Sequence, residues 1–147
     1  MSEDVVLDAF MRVLQLHCSE FGYKIRKETP VAEKPASPRE DKLKDVLVCL
    51  TCFEKRDEQR IDEIIDNFVE NVKVDVSRIG CERLLLYPYA HLSKNLGSAR
   101  LARQFLKQLT DRLQVERLEV HKSPFGWYKA FELSCIGHPL SEAYREY

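Results

Sequence analysis

The sequence predicts a single α/β domain in which helices pack on a mixed β-sheet. Three observations carry that prediction. The chain has 147 residues, the length of one domain with a core of its own. Two segments repeat apolar residues at helical spacing, whereas several others alternate or run continuously apolar, as strands do. The two kinds of segment interleave, which is the order that builds a layered α/β fold.

Taken in turn, "MRVLQLHCS" (11–19) alternates apolar and polar positions as a strand, and "FGYKIRKE" (21–28) reads as a return strand with Gly22 near the turn. "TPVAEKPASPREDK" carries three prolines and many charges and is a loop. "LKDVLVCLTCF" is almost continuously apolar, the mark of a central strand covered on both faces. Ile61, Ile64, Ile65, Phe68, Val69 and Val72 then follow helical spacing with acids between them. "RLLLYPY" is a further buried strand, stopped by Pro88. A second helix begins near Ser98, with Ala102, Phe105, Leu106, Leu109 and Leu113 as its apolar stripe. "VERLEVHKS" and "GWYKAFELSCI" are two more strands. After them Gly137 and Pro139 force a turn, and Glu142 is expected in a C-terminal helical turn.

Composition removes several function classes. Lys and Arg total 23 against 24 Asp and Glu, so net charge cannot drive non-specific nucleic-acid binding. A nucleic-acid ligand must be held by a local patch. "MSEDVVLDAF" is too acidic and too short for a signal peptide, and no apolar run is long enough to span a membrane. The five cysteines are an odd number scattered through apparent core segments, so the expectation is a reduced, cytoplasmic protein with buried structural thiols. "CLTC" has CxxC spacing, but on a strand Cys49 and Cys52 face opposite sides, which argues against joint metal ligation. The sequence contains no GxSxG elbow, no Walker loop and no HExxH helix, so the serine-hydrolase, nucleotide and zinc-protease readings lose their main support. Cys135 with a histidine would make a nucleophilic pair, yet a thiol in an apolar strand stays inert.

Two loops concentrate chemistry. "YPYAHLS" (87–93) ends a buried strand, and "KSPFGWYK" (122–129) turns into the last strand. In open α/β sheets ligands gather at the carboxyl ends of strands. His91 reads either as a half-buried capping residue or as a polar group aimed at a substrate. Alternation puts Tyr128 and Lys129 on opposite sheet faces, and Lys129 is an edge lysine unless it faces a pocket. Glu142 is either solvated or orients a neighbouring lysine or histidine. Arg100, Arg103 and Lys107 form a basic stripe opposite the apolar one of the second helix, either a solvated face or a track for a phosphate backbone.

Together, "YPYAHLS" and "KSPFGWYKAFELSCIGHPLSE" (122–142), with "MRVLQLH" and "VLVCLTCFEK" upstream, closely resemble the N-terminal editing domain of archaeal threonyl-tRNA synthetase, similar in fold to D-aminoacyl-tRNA deacylase. The resemblance runs from Met11 almost to the end, leaving residues 1–10 as an N-terminal extension and 11–147 as the editing domain. It implies proofreading: hydrolysis of serine wrongly esterified to the 3′ end of tRNA(Thr), by water, without metal, cofactor or covalent nucleophile. It also implies a homodimer, no membrane association, and work with the synthetase body in cis or in trans.

Position by position, the resemblance implies that Lys129 is associated with the attacking water. Tyr128, His91 and Glu142 become its polar neighbours around the aminoacyl group. Phe53, Pro88 and Tyr89 would wall the amino-acid side chain. Phe125 and Gly126, with Ala102 nearby, would receive the terminal adenosine, whose 2′-hydroxyl assists the chemistry. Tyr89 and Trp127 depart from the Phe and Tyr expected there; Tyr89 adds a hydroxyl to the pocket wall, and Trp127 is expected on the far face. Two rival readings are a free-standing D-aminoacyl-tRNA deacylase and a non-catalytic module that binds a tRNA end.

Overall fold

A single long strand organises the sheet. In the computed structural model, which describes residues 11–147, β1 runs unbroken from Arg12 to Glu28. The leader read as an extension lies outside the described residues. β1 replaces the expected pair of strands: Gly22 sits mid-strand, paired with Lys42 on one side and Glu132 on the other. What looked like a turn is a bend. The pairing with the last long strand slips by one residue between Cys18 and Glu20 and again between Ile25 and Lys27, and such bulges curve a strand without ending it.

After the proline-rich loop, β2 (Glu40–Cys52) returns antiparallel to β1. Then come α1 (Ile61–Ile79), β3 (Arg83–Pro88), α2 (Ala99–Val115), β4 (Glu119–Lys122), β5 (Trp127–Cys135) and β6 (Glu142–Glu146). β2, β3 and β4 are parallel neighbours, as helical crossovers require, while β5 and β6 pair antiparallel with successive stretches of β1. The six-stranded sheet is therefore mixed, in the order β4-β3-β2-β1-β5 with β6 also on β1. The C-terminal segment forms β6 rather than the expected helical turn because Arg12–Leu16 offers it an open strand edge.

Both helices cover one face. α1 buries Ile64, Ile65, Phe68, Val69 and Val72 and stops at Gly80, whose φ of 79° lets the chain turn away. α2 is capped by Ser98, whose side chain accepts a hydrogen bond from the Leu101 amide at 3.1 Å, and buries Ala102, Phe105, Leu106, Leu109 and Leu113. These side chains meet Leu47, Cys49, Leu84 and Leu86 from the sheet in one core.

The opposite face carries a second cluster, including Phe21, Tyr23, Val48, Leu85 and Tyr87, with no helix over it. The sheet covers it by rolling. Phe131 on β5 is separated from β3 by two strands, which in a flat sheet means roughly 14 Å. Its ring nevertheless lies 5.8 Å from that of Tyr87 and stacks on Phe21 at the same distance. The bulges in β1 supply the curvature, and the open end of the roll is where the functional loops meet.

All five cysteines are free thiols; four are buried and Cys135 is partly so. No helix among the described residues is long and apolar enough to cross a membrane.

Candidate functional site

Parallel β2 and β3 both end at the mouth of the roll, and the segments that follow them form a cavity of about 550 Å³. Thr51, Cys52 and Phe53 come from the end of β2; Tyr87, Pro88 and Tyr89 from the end of β3; Ala102 from the first turns of α2; Phe125 to Lys129 from the entry to β5. The position is the one expected of an α/β sheet, at the carboxyl ends of its parallel strands.

Lys129 faces into this cavity. It shares a side of β5 with Phe131, and the roll carries that side over β3, so its Nζ stands 4.8 Å from the centre of the Tyr87 ring. A cation over an aromatic face is attracted to it, but the surroundings are largely apolar. Burial lowers the Lys129 pKa to about 8, and the carboxylate of Glu33 only partly opposes that shift. An edge lysine in a flat sheet would show no such shift. The curvature decides between the two readings of this residue.

The walls are aromatic and fixed by packing. Phe53 packs on Phe105 with ring centres 5.2 Å apart. Gly97 presses against the same ring: a Cβ there would lie 2.7 Å from it. Tyr89 stands between Tyr87 and His91, its ring 6.4 Å from the first and edge-on to the second at 5.1 Å. Exposed His91 and Tyr128, the latter 57 % accessible, form the rim.

The floor beside Phe125 is tied to the proline-rich loop. The Phe125 amide donates to the Glu33 carboxylate at 2.9 Å, the Trp127 indole N–H donates to the Glu33 carbonyl at 2.9 Å, and Gly126 O accepts from both the amide and the hydroxyl of Thr29. Trp127 thus lines the cavity rather than packing on the far face.

Nine of the ten candidate residues line this one cavity: Lys129, His91, Tyr128, Phe53, Pro88, Tyr89, Ala102, Phe125 and Gly126. Glu142 does not. It pairs with Leu16 whereas Lys129 pairs with Ile25, nine positions along the same strand. That offset is on the order of 30 Å. Within one chain Glu142 is an exposed residue of β6. Cys135 lies outside the cavity lining as well, and burial pushes the thiol of Cys52, which does line it, up to about 11.

Sequence reasoning missed Val31, Glu33 and Phe131. The first two sit in a loop whose prolines mark irregular chain without saying where it folds back. Phe131 carried the strand alternation but not the news that its face closes on β3.

The fold and this cavity define an α/β domain with a ligand pocket built around one desolvated lysine. Comparison with known proteins says which family it is. Residues 11–147 match the archaea-specific editing domain of threonyl-tRNA synthetase, and the chain belongs to that family. It is 43% identical over 136 residues to the threonine–tRNA ligase of Methanobrevibacter smithii and 42% identical over 136 residues to that of Methanosarcina mazei. It is also 36% identical over 135 residues to the threonine–tRNA ligase editing subunit of Saccharolobus solfataricus. Each match covers 92% of this chain, but only 22%, 21% and 34% of the respective relatives, so the chain corresponds to between a fifth and a third of their length.

Proposed function

We propose that this domain hydrolyses L-seryl-tRNA(Thr), releasing serine from the terminal adenosine by attack of water on the ester. Lys129 carries the reading: a desolvated amine with its pKa lowered to about 8, in an aromatic cavity. Such a group exchanges between ammonium and amine close to neutral pH, which is what a residue handling a reacting water must do. The amine accepts a hydrogen bond from the water and aims its lone pair at the carbonyl carbon. The new C–O bond forms as the ester C–O bond breaks, the water's proton passes to the ribose 3′-oxygen, and serine leaves as the free acid.

The need for such a site is energetic. Serine and threonine differ by one methyl group, which a binding pocket discriminates by only about 1–3 kcal/mol, so accuracy demands a second, hydrolytic sieve. Phe53, Pro88 and Tyr89 wall the serine side chain. Ala102, Phe125 and Gly126 receive the adenosine, and His91 and Tyr128 at the rim meet the ribose hydroxyls and the amino group. The reading is tested by single-turnover release of the amino acid from L-seryl-tRNA(Thr) beside D-tyrosyl-tRNA. Cleavage of the first alone is expected; cleavage of the second alone would make the protein a D-aminoacyl-tRNA deacylase instead.

The domain works on tRNA(Thr) charged by the synthetase body, joined to it or acting in trans, in the cytoplasm. A second copy covers the apolar side chains left exposed along β5, β6 and the turn between them, Phe131 at 41 %, Leu133 at 38 %, Ile136 at 45 % and Tyr144 at 49 % accessible among them. Sedimentation equilibrium is expected to give twice the 17.2 kDa chain mass, and Ile136→Lys to shift it to the monomer.

A further inference from the structure

We infer that the groove beside the N-terminal half of α2 is the track of the RNA strand leading to the ester, binding the phosphates of the nucleotides 5′ to the terminal adenosine. The inference rests on the proposed function and specifies how the same substrate is held.

The groove is a second cavity, of about 530 Å³, and it adjoins the first: Val31, Ala99 and Phe125 line both. A strand whose last nucleoside sits against Phe125 and Gly126 has this groove as its continuation. Arg100, Arg103 and Lys107 reach it from α2 and Lys122 from β4. Glu33 is the one carboxylate in the lining, and it is already engaged by the Phe125 amide at 2.9 Å.

Lys107 pairs with Asp111 at 3.4 Å and Arg100 lies near enough to the Glu58 carboxylate to help lower its pKa, whereas the exposed Arg103 has no ion pair or hydrogen-bond partner among the described residues. Arg100 to Lys107 spans about 10 Å of helix, the reach of two to three phosphates of a stacked strand. Phe125, at the junction, offers a ring on which a base can stack.

A solvated helix face is the ordinary explanation of such a stripe, but the two helices differ. The exposed face of α1 carries Asp62, Glu63, Asp66 and Glu70 in its first half, with Lys73 and Arg78 towards its far end. Cations gather on the helix that borders the pocket. In a chain with net charge −1 this patch supplies the electrostatic attraction that composition alone does not.

The test is the double variant Arg100→Ala, Arg103→Ala, which keeps good helix formers at two exposed positions and so keeps the fold. The first probe is a fluorescein-labelled, unacylated 5′-ACCA-3′ oligonucleotide, read by anisotropy across a salt series. The variant is expected to bind roughly tenfold more weakly, with the slope of log K against log salt reduced by about 1.4 for two lost phosphate contacts on a single strand. The second is hydrolysis of L-seryl-tRNA(Thr) beside 3′-O-seryl-adenosine, which has no strand to track. The variant is expected to lose kcat/KM about tenfold on the tRNA and nothing on the adenosine ester.

Equal affinity and slope for wild type and variant, or equal losses on both esters, would overturn the inference. So would wild type that does not bind the oligonucleotide. If wild type cleaves neither ester, the proposed function fails, and the anisotropy series still decides whether the groove binds RNA.

Discussion

Lys129→Met is expected to lower the deacylation rate by about 10²–10³ while making the domain more stable, two effects of opposite sign from one substitution. Methionine keeps the apolar stem that packs beside Tyr87 and removes the ammonium. In the native chain that ammonium is held where burial brings its pKa from the usual 10.5 down to about 8. A lysine depressed in this way binds its proton less tightly folded than unfolded. Its cost to stability is fully present below pH 8 and is relieved as pH rises from about 8 towards 10.5, where both states are neutral. Because the side chain keeps some contact with solvent at the cavity mouth, the cost is discounted to about 1–2 kcal/mol. Melting curves of the variant and wild type should therefore differ most near pH 7 and converge above pH 10.5. A variant less stable than wild type at pH 7 would mean that Lys129 is not desolvated. A folded variant with near-normal turnover would remove it from the chemistry.

Gly126→Ala has the largest expected effect on the architecture of the site. The backbone φ at Gly126 is +80°, and a Cβ there would stand 2.5 Å from the Val31 carbonyl oxygen and 2.8 Å from Ala32 Cα. Backbone cannot step aside as a flexible side chain does. The proline-rich loop must move away, and with it go the two hydrogen bonds from Thr29 to Gly126 O. Left-handed strain and the collision together cost about 2–4 kcal/mol. That corresponds to a melting point lower by roughly 5–12 °C for a chain of this size. Gly137→Ala is the internal control: its φ is +94° but nothing lies within 4 Å of the added Cβ, so it bears the backbone strain without the collision. Similar melting points for the two variants would show that the close approach at Gly126 is not what shapes the pocket.

Much of this was legible in the sequence, and the gaps have physical causes. Both helices are where the apolar spacing put them, because helical period is a local property that burial on one face preserves. The two loops that concentrated aromatic and titratable residues do meet at one cavity, since each ends or begins a strand at the same edge of the sheet. Gly22 misled because a glycine marks a bend as well as a turn, and only pairing on both sides distinguishes the two. β6 is not legible as a strand because five residues with two glutamates carry little pattern, and its strand is imposed by the free edge of β1. Lys129 shows the limit most clearly. Alternation assigned it a side of β5, but what that side faces depends on the roll of the whole sheet, and the roll comes from one-residue slips that leave the alternation nearly unchanged.

The most direct measurement of the central claim is release of the amino acid from L-seryl-tRNA(Thr) and L-threonyl-tRNA(Thr) in parallel, at equal enzyme concentration and pH, with hydroxide-driven loss subtracted. Rapid loss of serine with threonine spared is the predicted result. Equal loss of both would mean that Phe53, Pro88 and Tyr89 form no sieve, and a folded chain that releases neither would contradict hydrolysis at this cavity altogether.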